Sequence, residues 1–249
     1  MRVLMFGGTT EARDLSRRLA NEGLSVTVCV ATPYGAEEQG EAEGIAVRTG
    51  RLDVAGMEAL LREHVLCIDA THPYAAEATR NIRTACEKTG VPYRRVLREA
   101  EDAEEAEGMV RVGSAPEAAA YLAEREGNIL LTTGVKELAA FGGIDTARLV
   151  VRTLPSHESL DACEQANIPH RNILAMQGPF TAELNEALLK QYDIAYLVTK
   201  DGGKTGGFPE KVSAAQRTGV TLVVIERPQE ETRTFSTEEL LRECRELMA

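Results

Sequence analysis

Four short segments carry residue types and spacings suited to holding an anion or moving a proton. The first is Gly7-Gly8-Thr9-Thr10-Glu11-Ala12. Two glycines open the backbone to a phosphate, and the N–H groups that follow, with the dipole of the helix they begin, favour negative charge. Gly7, Gly8, Thr9 and Thr10 are therefore candidate phosphate ligands. The spacing is not GxGxxG, so the dinucleotide fingerprint is imperfect and a plain strand-to-helix turn competes with it. The second segment is Asp69-Ala70-Thr71-His72-Pro73-Tyr74-Ala75. Pro73 disfavours helical backbone at His72, and an imidazole, which titrates near neutrality when unperturbed, can position a substrate or carry a proton. His72 and Tyr74 are candidate catalytic residues, with Thr71 beside the cofactor. A third group joins Thr132-Thr133-Gly134-Val135-Lys136 to Arg152-Thr153-Leu154-Pro155-Ser156, of which Thr133, Lys136 and Arg152 are candidate substrate ligands. The fourth, Thr199 to Pro209, places Lys200, Gly202, Gly203 and Lys204 ahead of a helix, as an anion cradle or a flexible loop.

Two tempting motifs fail in context. Gly203-Lys204-Thr205 resembles the tail of a Walker A loop, but the position of its first glycine is Val198, inside a strand. Tyr196 and Lys200 have the spacing of a short-chain dehydrogenase pair, which needs a helix; on a strand four residues span about 13 Å. No HExxH, paired-cysteine zinc pattern or GxSxG elbow occurs, so no metal site is expected and serine-esterase chemistry has no support.

These segments all follow runs that read as strands. Val3–Phe6, Val26–Val30, Ile45–Val47, Val65–Ala70 and Pro92–Leu97 alternate with helical patterns in the first part of the chain. An acidic stretch, Arg98 to Gly108, breaks the pattern, and strands then recur at Val110–Val112, Ile129–Leu131, Leu149–Val151, Ile173–Met176, Ile194–Val198 and Thr221–Ile225. Ser114 with Glu117, and Ser236 with Glu239, have the spacing of capping boxes. Continuously apolar strands separated by helices require a parallel sheet covered on both faces. The expected fold is α/β: two Rossmann-like, doubly wound lobes, 1–98 binding nucleotide and 109–249 contributing to the substrate cleft between them. The strand near Tyr93–Val96 fits either sheet.

Composition narrows the partners. The 249 residues hold 28 Lys and Arg against 39 Asp and Glu, a formal charge of −11, with 4% aromatics and no Trp. Such a chain lacks both the basic stripe and the stacking platform that nucleic acid needs. No apolar run approaches the ~20 residues of a membrane helix, and the first apolar run breaks at Gly7. The five cysteines, Cys29, Cys67, Cys86, Cys163 and Cys244, are scattered and read as buried structural thiols. A cytoplasmic, reduced protein is expected, and nothing in the pattern specifies an oligomeric state.

After the second strand no acid occurs until Glu37. A carboxylate there would hold the 2′-hydroxyl of NAD, so its absence favours NADPH, with NADH as the other nicotinamide. Thr32 and Arg51 are the candidates nearest the adenosine ribose, Arg51 being equally readable as a solvated surface residue.

Together the motifs Gly7-Gly-Thr-Thr-Glu-Ala-Arg, Asp69-Ala-Thr-His-Pro-Tyr-Ala, Thr132-Thr-Gly, Arg152-Thr-Leu-Pro, Gln177-Gly-Pro-Phe, Thr199-Lys-Asp-Gly-Gly and Glu226-Arg-Pro span nearly the whole chain in order. In them the chain resembles the precorrin-6A reductase family of corrin-ring (cobalamin) biosynthesis, including its cobalt-precorrin branch. The resemblance implies a reduced nicotinamide cofactor, a tetrapyrrole-derived polycarboxylate substrate, and addition of hydride plus proton across one macrocycle C=C bond. The family often has Ser where this chain has Gly202, so a hydroxyl contact is lost there. His72, Tyr74 and Lys200, together with bulk water, stand as alternative proton donors. Another reductase on the same fold and a non-catalytic nucleotide-sensing module are the rival readings.

Overall fold

Strands that are apolar at every position are stable only where helices cover both faces of the sheet, and the chain meets that demand twice. The structure, a computed structural model, describes residues 1–96, 108–202, 206–227 and 233–248. The first stretch runs β1 (Arg2–Phe6), α1 (Thr10–Asn21), β2 (Ser25–Val30), α2 (Pro33–Gln39), β3 (Ile45–Thr49), α3 (Val54–Leu61), β4 (Leu66–Asp69), α4 (Ala76–Thr89) and β5 (Tyr93–Val96). The rest continues with β6 (Met109–Val112), α5 (Ala115–Ala123), β7 (Asn128–Leu131), a 3-10 helix (Val135–Phe141), β8 (Leu149–Thr153), α6 (His157–Gln165) and β9 (Ile173–Ala175). It ends with α7 (Ala182–Gln191), β10 (Ile194–Lys200), α8 (Phe208–Thr218), β11 (Thr221–Ile225), β12 (Thr234–Phe235) and α9 (Thr237–Met248).

Two units result, Met1–Glu99 with Pro228–Ala249, and Ala100–Arg227. In the first, the strand order is β12-β5-β4-β1-β2-β3, with every pair parallel. In the second it is β6-β11-β10-β7-β8-β9, again all parallel. Both sheets are of the doubly wound α/β class expected from the alternation. The winding reverses between β1 and β4 in one sheet and between β7 and β10 in the other, and beyond the carboxyl ends of such strand pairs a crevice opens.

Period-two alternation sorts side chains to the two faces. Val3, Met5, Val26 and Val28 pack with Ala12, Leu15 and Leu19 of α1 on one side of the first sheet. Leu4, Phe6 and Cys67 pack with Met57 and Leu61 of α3 and Ile82, Ala85 and Cys86 of α4 on the other. In the second unit Leu130, Leu197 and Val224 pack with Leu189 of α7 and Ala214 of α8. All five cysteines are free and buried. Burial pushes the Cys29 thiol up to about 11, which keeps it an inert space-filler.

The second lobe, expected to run to residue 249, ends earlier. Thr234 and Phe235 pair with Arg95 and Val96, and α9 buries Leu240, Leu241 and Cys244 in the core of the first unit. Each buried leucine contributes about 2 kcal/mol. Surface ion pairs such as Arg18–Glu238 (2.7 Å) contribute about 0–1 kcal/mol, so apolar contact decides which sheet α9 joins. An amphipathic pattern states that a face is buried, not against what. The strand Tyr93–Val96 lies between β4 and β12 in the first sheet. Residues 98–107 of the acidic stretch lie outside the described residues.

Candidate active site

At the end of β1, Gly7 and Gly8 do different work. The Gly7 N–H donates to the Cys29 carbonyl at 2.9 Å and so offers nothing to a ligand. A Cβ on Gly7 would lie 3.1 Å from that of Ala12 and 3.2 Å from Val28 Cγ1, so glycine here lets α1 sit close on the sheet. Gly8 has φ +110°, and a Cβ built there would meet nothing within 4 Å; its side of the turn is open. The Thr9 hydroxyl is occupied: as N-cap of α1 it accepts from Ala12 N at 3.1 Å and donates to Ala70 O at 3.1 Å. That last bond ties the turn after β1 to the turn after β4. Among the described residues, the backbone N–H groups of Gly8, Thr9 and Thr10 have no protein acceptor. Three donors therefore converge at the start of a 12-residue helix, at the point where the winding reverses.

The turn after β4 is held from below by residues that spacing did not single out. Asp69 and Arg95 are wholly buried and paired at 2.7 Å. Asp69 also accepts from Thr71 N (3.1 Å), Thr71 Oγ1 (2.7 Å) and Tyr93 Oη (2.9 Å). The same Arg95 Nη1 reaches Thr71 O at 3.1 Å and Thr71 Oγ1 at 3.1 Å. Thr71, a candidate cofactor ligand, thus spends its hydroxyl inside the protein. Above it His72 is exposed and Tyr74 half-buried, their ring centroids 5.4 Å apart. Tyr74 N donates to His72 Nδ1 at 3.3 Å. An accepting Nδ1 puts the proton of the neutral imidazole on Nε2.

Thr32 caps α2, accepting from Gly35 N at 3.0 Å. Arg51 is exposed beyond β3. With β2 between β3 and β1, it stands two strand spacings, about 10 Å, from the glycine turn. The structure thus gathers Gly7–Thr10 with Thr71, His72 and Tyr74, and leaves Arg51 apart from them.

In the second unit Thr133 follows β7 and Lys200 ends β10, with Val198 beside Leu131 in register. Lys200 Nζ pairs with Glu137 of the 3-10 helix at 2.8 Å, so as a candidate proton donor it is held by a carboxylate. Lys136 on the same turn is exposed. Gly202 N donates to Lys200 O at 2.8 Å, while Gly203 and Lys204 lie outside the described residues. Arg152, one strand further out on β8, is buried; its Nη1 donates to Asn185 Oδ1 at 2.8 Å and its guanidinium lies 4.3 Å from the Phe180 ring centroid. Burial lowers its pKa to about 10. Lys211 of α8, a cation not among the candidates named from the sequence, is buried too, its Nζ donating to Gly206 O at 2.9 Å.

Residues 2–245 match the family described as "Precorrin-6x reductase CbiJ/CobK". The chain belongs to that family. It is 39% identical over 242 residues to the cobalt-precorrin-6A reductase of Priestia megaterium, covering 94% of each chain. It is 36% identical over 230 residues to the cobalt-precorrin-6A reductase of Salmonella typhimurium, covering 91% of this chain and 87% of that one. A solved structure of CobK precorrin-6A reductase superposes with a TM-score of 0.79 at 26% identity, covering 99% of this chain and 97% of that chain. For this precorrin-6x reductase family member the two doubly wound sheets are thus the fold of a solved relative as well.

Proposed function

We propose that the chain reduces precorrin-6A, in its cobalt-bearing form, by adding hydride and a proton across one C=C bond of the macrocycle, with NADPH as the reductant, in the cytoplasm. The family match over residues 2–245 carries this reading, and the relatives at 36–39% identity, named for the cobalt form, favour that substrate.

The glycine turn fits a dinucleotide. Three donors without protein acceptors, an open face at Gly8 and a helix N-terminus at a switch point are what a pyrophosphate needs. Gly8, Thr9 and Thr10 would hold it through their amides, with Gly7 allowing the close approach of helix to sheet. Thr32 and Arg51 would serve the adenosine ribose, where no carboxylate stands between Val30 and Glu37 to oppose a 2′-phosphate. A nicotinamide held there would supply the hydride, its own oxidation balancing reduction of the C=C bond. His72, as its imidazolium, would deliver the proton, and the neutral ring left behind accepts from Tyr74 N at Nδ1 with its remaining proton on Nε2, Tyr74 packing beside it to fix the ring. Thr133, Lys136, Arg152, Gly202, Gly203 and Lys204 would contact the substrate.

Anaerobic incubation of the purified protein with cobalt-precorrin-6A or the metal-free ring, and NADPH or NADH, tests the reading. Loss of reduced-cofactor absorbance that depends on the ring is expected, faster with NADPH. Cofactor oxidation that ignores the ring, or none with either ring, would overturn it.

A further inference from the structure

At the end of β8 and the start of α8 two positive charges are buried with no carboxylate within ion-pair distance among the described residues. Arg152 is 5% exposed and Lys211 9%. Their hydrogen-bond partners are neutral, Asn185 Oδ1 for Arg152 and Gly206 O for Lys211. The segment at Phe180 links the two: its ring lies under the guanidinium, its carbonyl accepts from Asn185 Nδ2 at 3.4 Å, and that carbonyl lies 4.0 Å from where a Cβ on Gly207, the N-cap of α8 next to the Gly206 carbonyl that Lys211 holds, would stand.

Carboxylates are present nearby but engaged or too far away. On α7, Glu183 and Glu186 pair with Arg217, and Glu186 also with Lys190. On α8, Glu210 is not within salt-bridge distance of either cation among the described residues, and one of its carboxylate oxygens is buried with no hydrogen-bond donor. Burial first, and the Arg152 charge second, lower the Lys211 pKa to about 8, outweighing the opposite pull of Glu210. The cluster therefore carries a net positive charge in a dry place, where an uncompensated charge is costly. An arriving anion would compensate it, and this end of β8 is the edge of the sheet where ligands of such folds bind.

We propose that Arg152 and Lys211 together seat one carboxylate of the macrocyclic substrate, the guanidinium as an oriented donor and the ammonium as a point charge. The inference rests on the reductase reading, which supplies a polycarboxylate ligand, and it adds Lys211 to the substrate-binding residues.

Equilibrium titration of cobalt-precorrin-6A, followed by its visible absorbance, is the test, with a parallel titration of NADPH by its fluorescence. In Lys211→Met the ring Kd should rise at least about tenfold, as expected for truncating one partner of a buried charge pair. Lys211→Arg should recover most of the loss, and the NADPH Kd should stay within about twofold for both variants. In the wild type, which needs no variant to fold, ring affinity should fall as pH rises through about 8, the value to which Lys211 is lowered; in Lys211→Met that dependence should vanish. An unchanged ring Kd in the Met variant, or a pH-independent wild type, overturns the proposal. A weakened NADPH Kd with normal ring binding overturns it in favour of a cofactor phosphate. If the wild-type protein binds the ring but does not reduce it, the reductase reading fails while the seat stands; if it does not bind the ring, both fail.

Discussion

Replacing Lys211 by Met should make the ligand-free protein more stable. The ammonium sits in α8, 9% exposed, and its pKa falls from 10.5 to about 8. At roughly 1.4 kcal/mol for each pH unit, keeping this charge in the folded chain at neutral pH costs about 3 kcal/mol. Methionine preserves most of the length and removes the charge. The lost hydrogen bond to Gly206 O takes back about 1 kcal/mol, leaving a net gain of about 2 kcal/mol. The pH dependence has a definite sign. Because the folded pKa lies below the unfolded one, the unfolded wild type holds more protons between about 8 and 10.5, and wild-type stability rises across that window. Below it the full deficit stands. Urea denaturation followed by far-ultraviolet circular dichroism suits a chain without tryptophan. At about pH 7 the variant should be the more stable by about 2 kcal/mol, and the gap should close towards about pH 10. A variant less stable than wild type at neutral pH, or a gap that ignores pH, would refute the claim that Lys211 is held charged with no carboxylate at ion-pair distance among the described residues.

Three further predictions concern the first unit. Gly8→Asp places a carboxylate among the free amides of the turn and should raise the NADPH Kd at least about tenfold; Gly8→Ala, which shares the strain of φ +110° but adds no charge, should raise it less, and equal effects of the two would remove the turn from the phosphate site. His72→Ala should lower the single-turnover hydride rate by about a hundredfold if it delivers the proton, and a normal rate would exclude the residue from the chemistry. Arg95→Met leaves the Asp69 carboxylate buried and unpaired and should cost about 3–5 kcal/mol in chemical denaturation; the double variant with Asp69→Asn should recover much of that loss, and no recovery would mean that packing, not charge, makes Arg95 necessary.

What was legible in the sequence was what is encoded locally. The alternation of apolar runs and amphipathic helices gave the sheet class. Ser114 and Ser236 announced their helices three residues ahead of Glu117 and Glu239: Ser236 and Glu239 close the full capping box, while at Ser114 the serine caps Glu117 N and the Glu117 carboxylate takes the Gly113 N–H and the Ser114 hydroxyl instead. The segment around His72 lies where the position after a buried strand places it. The division of labour within Gly7-Gly8-Thr9 was not legible: which amide is free depends on Cys29 across the sheet, and which hydroxyl is used depends on Ala70. Lys211 was hidden for a similar reason. On a helix with polar neighbours a lysine reads as surface, and only the packing of α8 on α7 and the second sheet buries it.

The buried pair of Asp69 and Arg95 joins these two kinds of information. Tyr93 and Arg95 lie on β5, which local pattern allowed to join either sheet. Without a neighbour beyond it, β5 would be an edge strand, and water at an edge weakens a buried ion pair by screening it. Thr234 pairs with Arg95 in register, and α9 packs its leucines into the same core. Arg95 is therefore fully buried only because the chain, after building the whole second unit, returns to the first. Thr71, and the position of His72 and Tyr74 after it, depend on Arg95 through two 3.1 Å bonds, one to the Thr71 carbonyl and one to its hydroxyl. A turn that spacing marked as chemical in the first third of the sequence is thus held in shape by residues near its end.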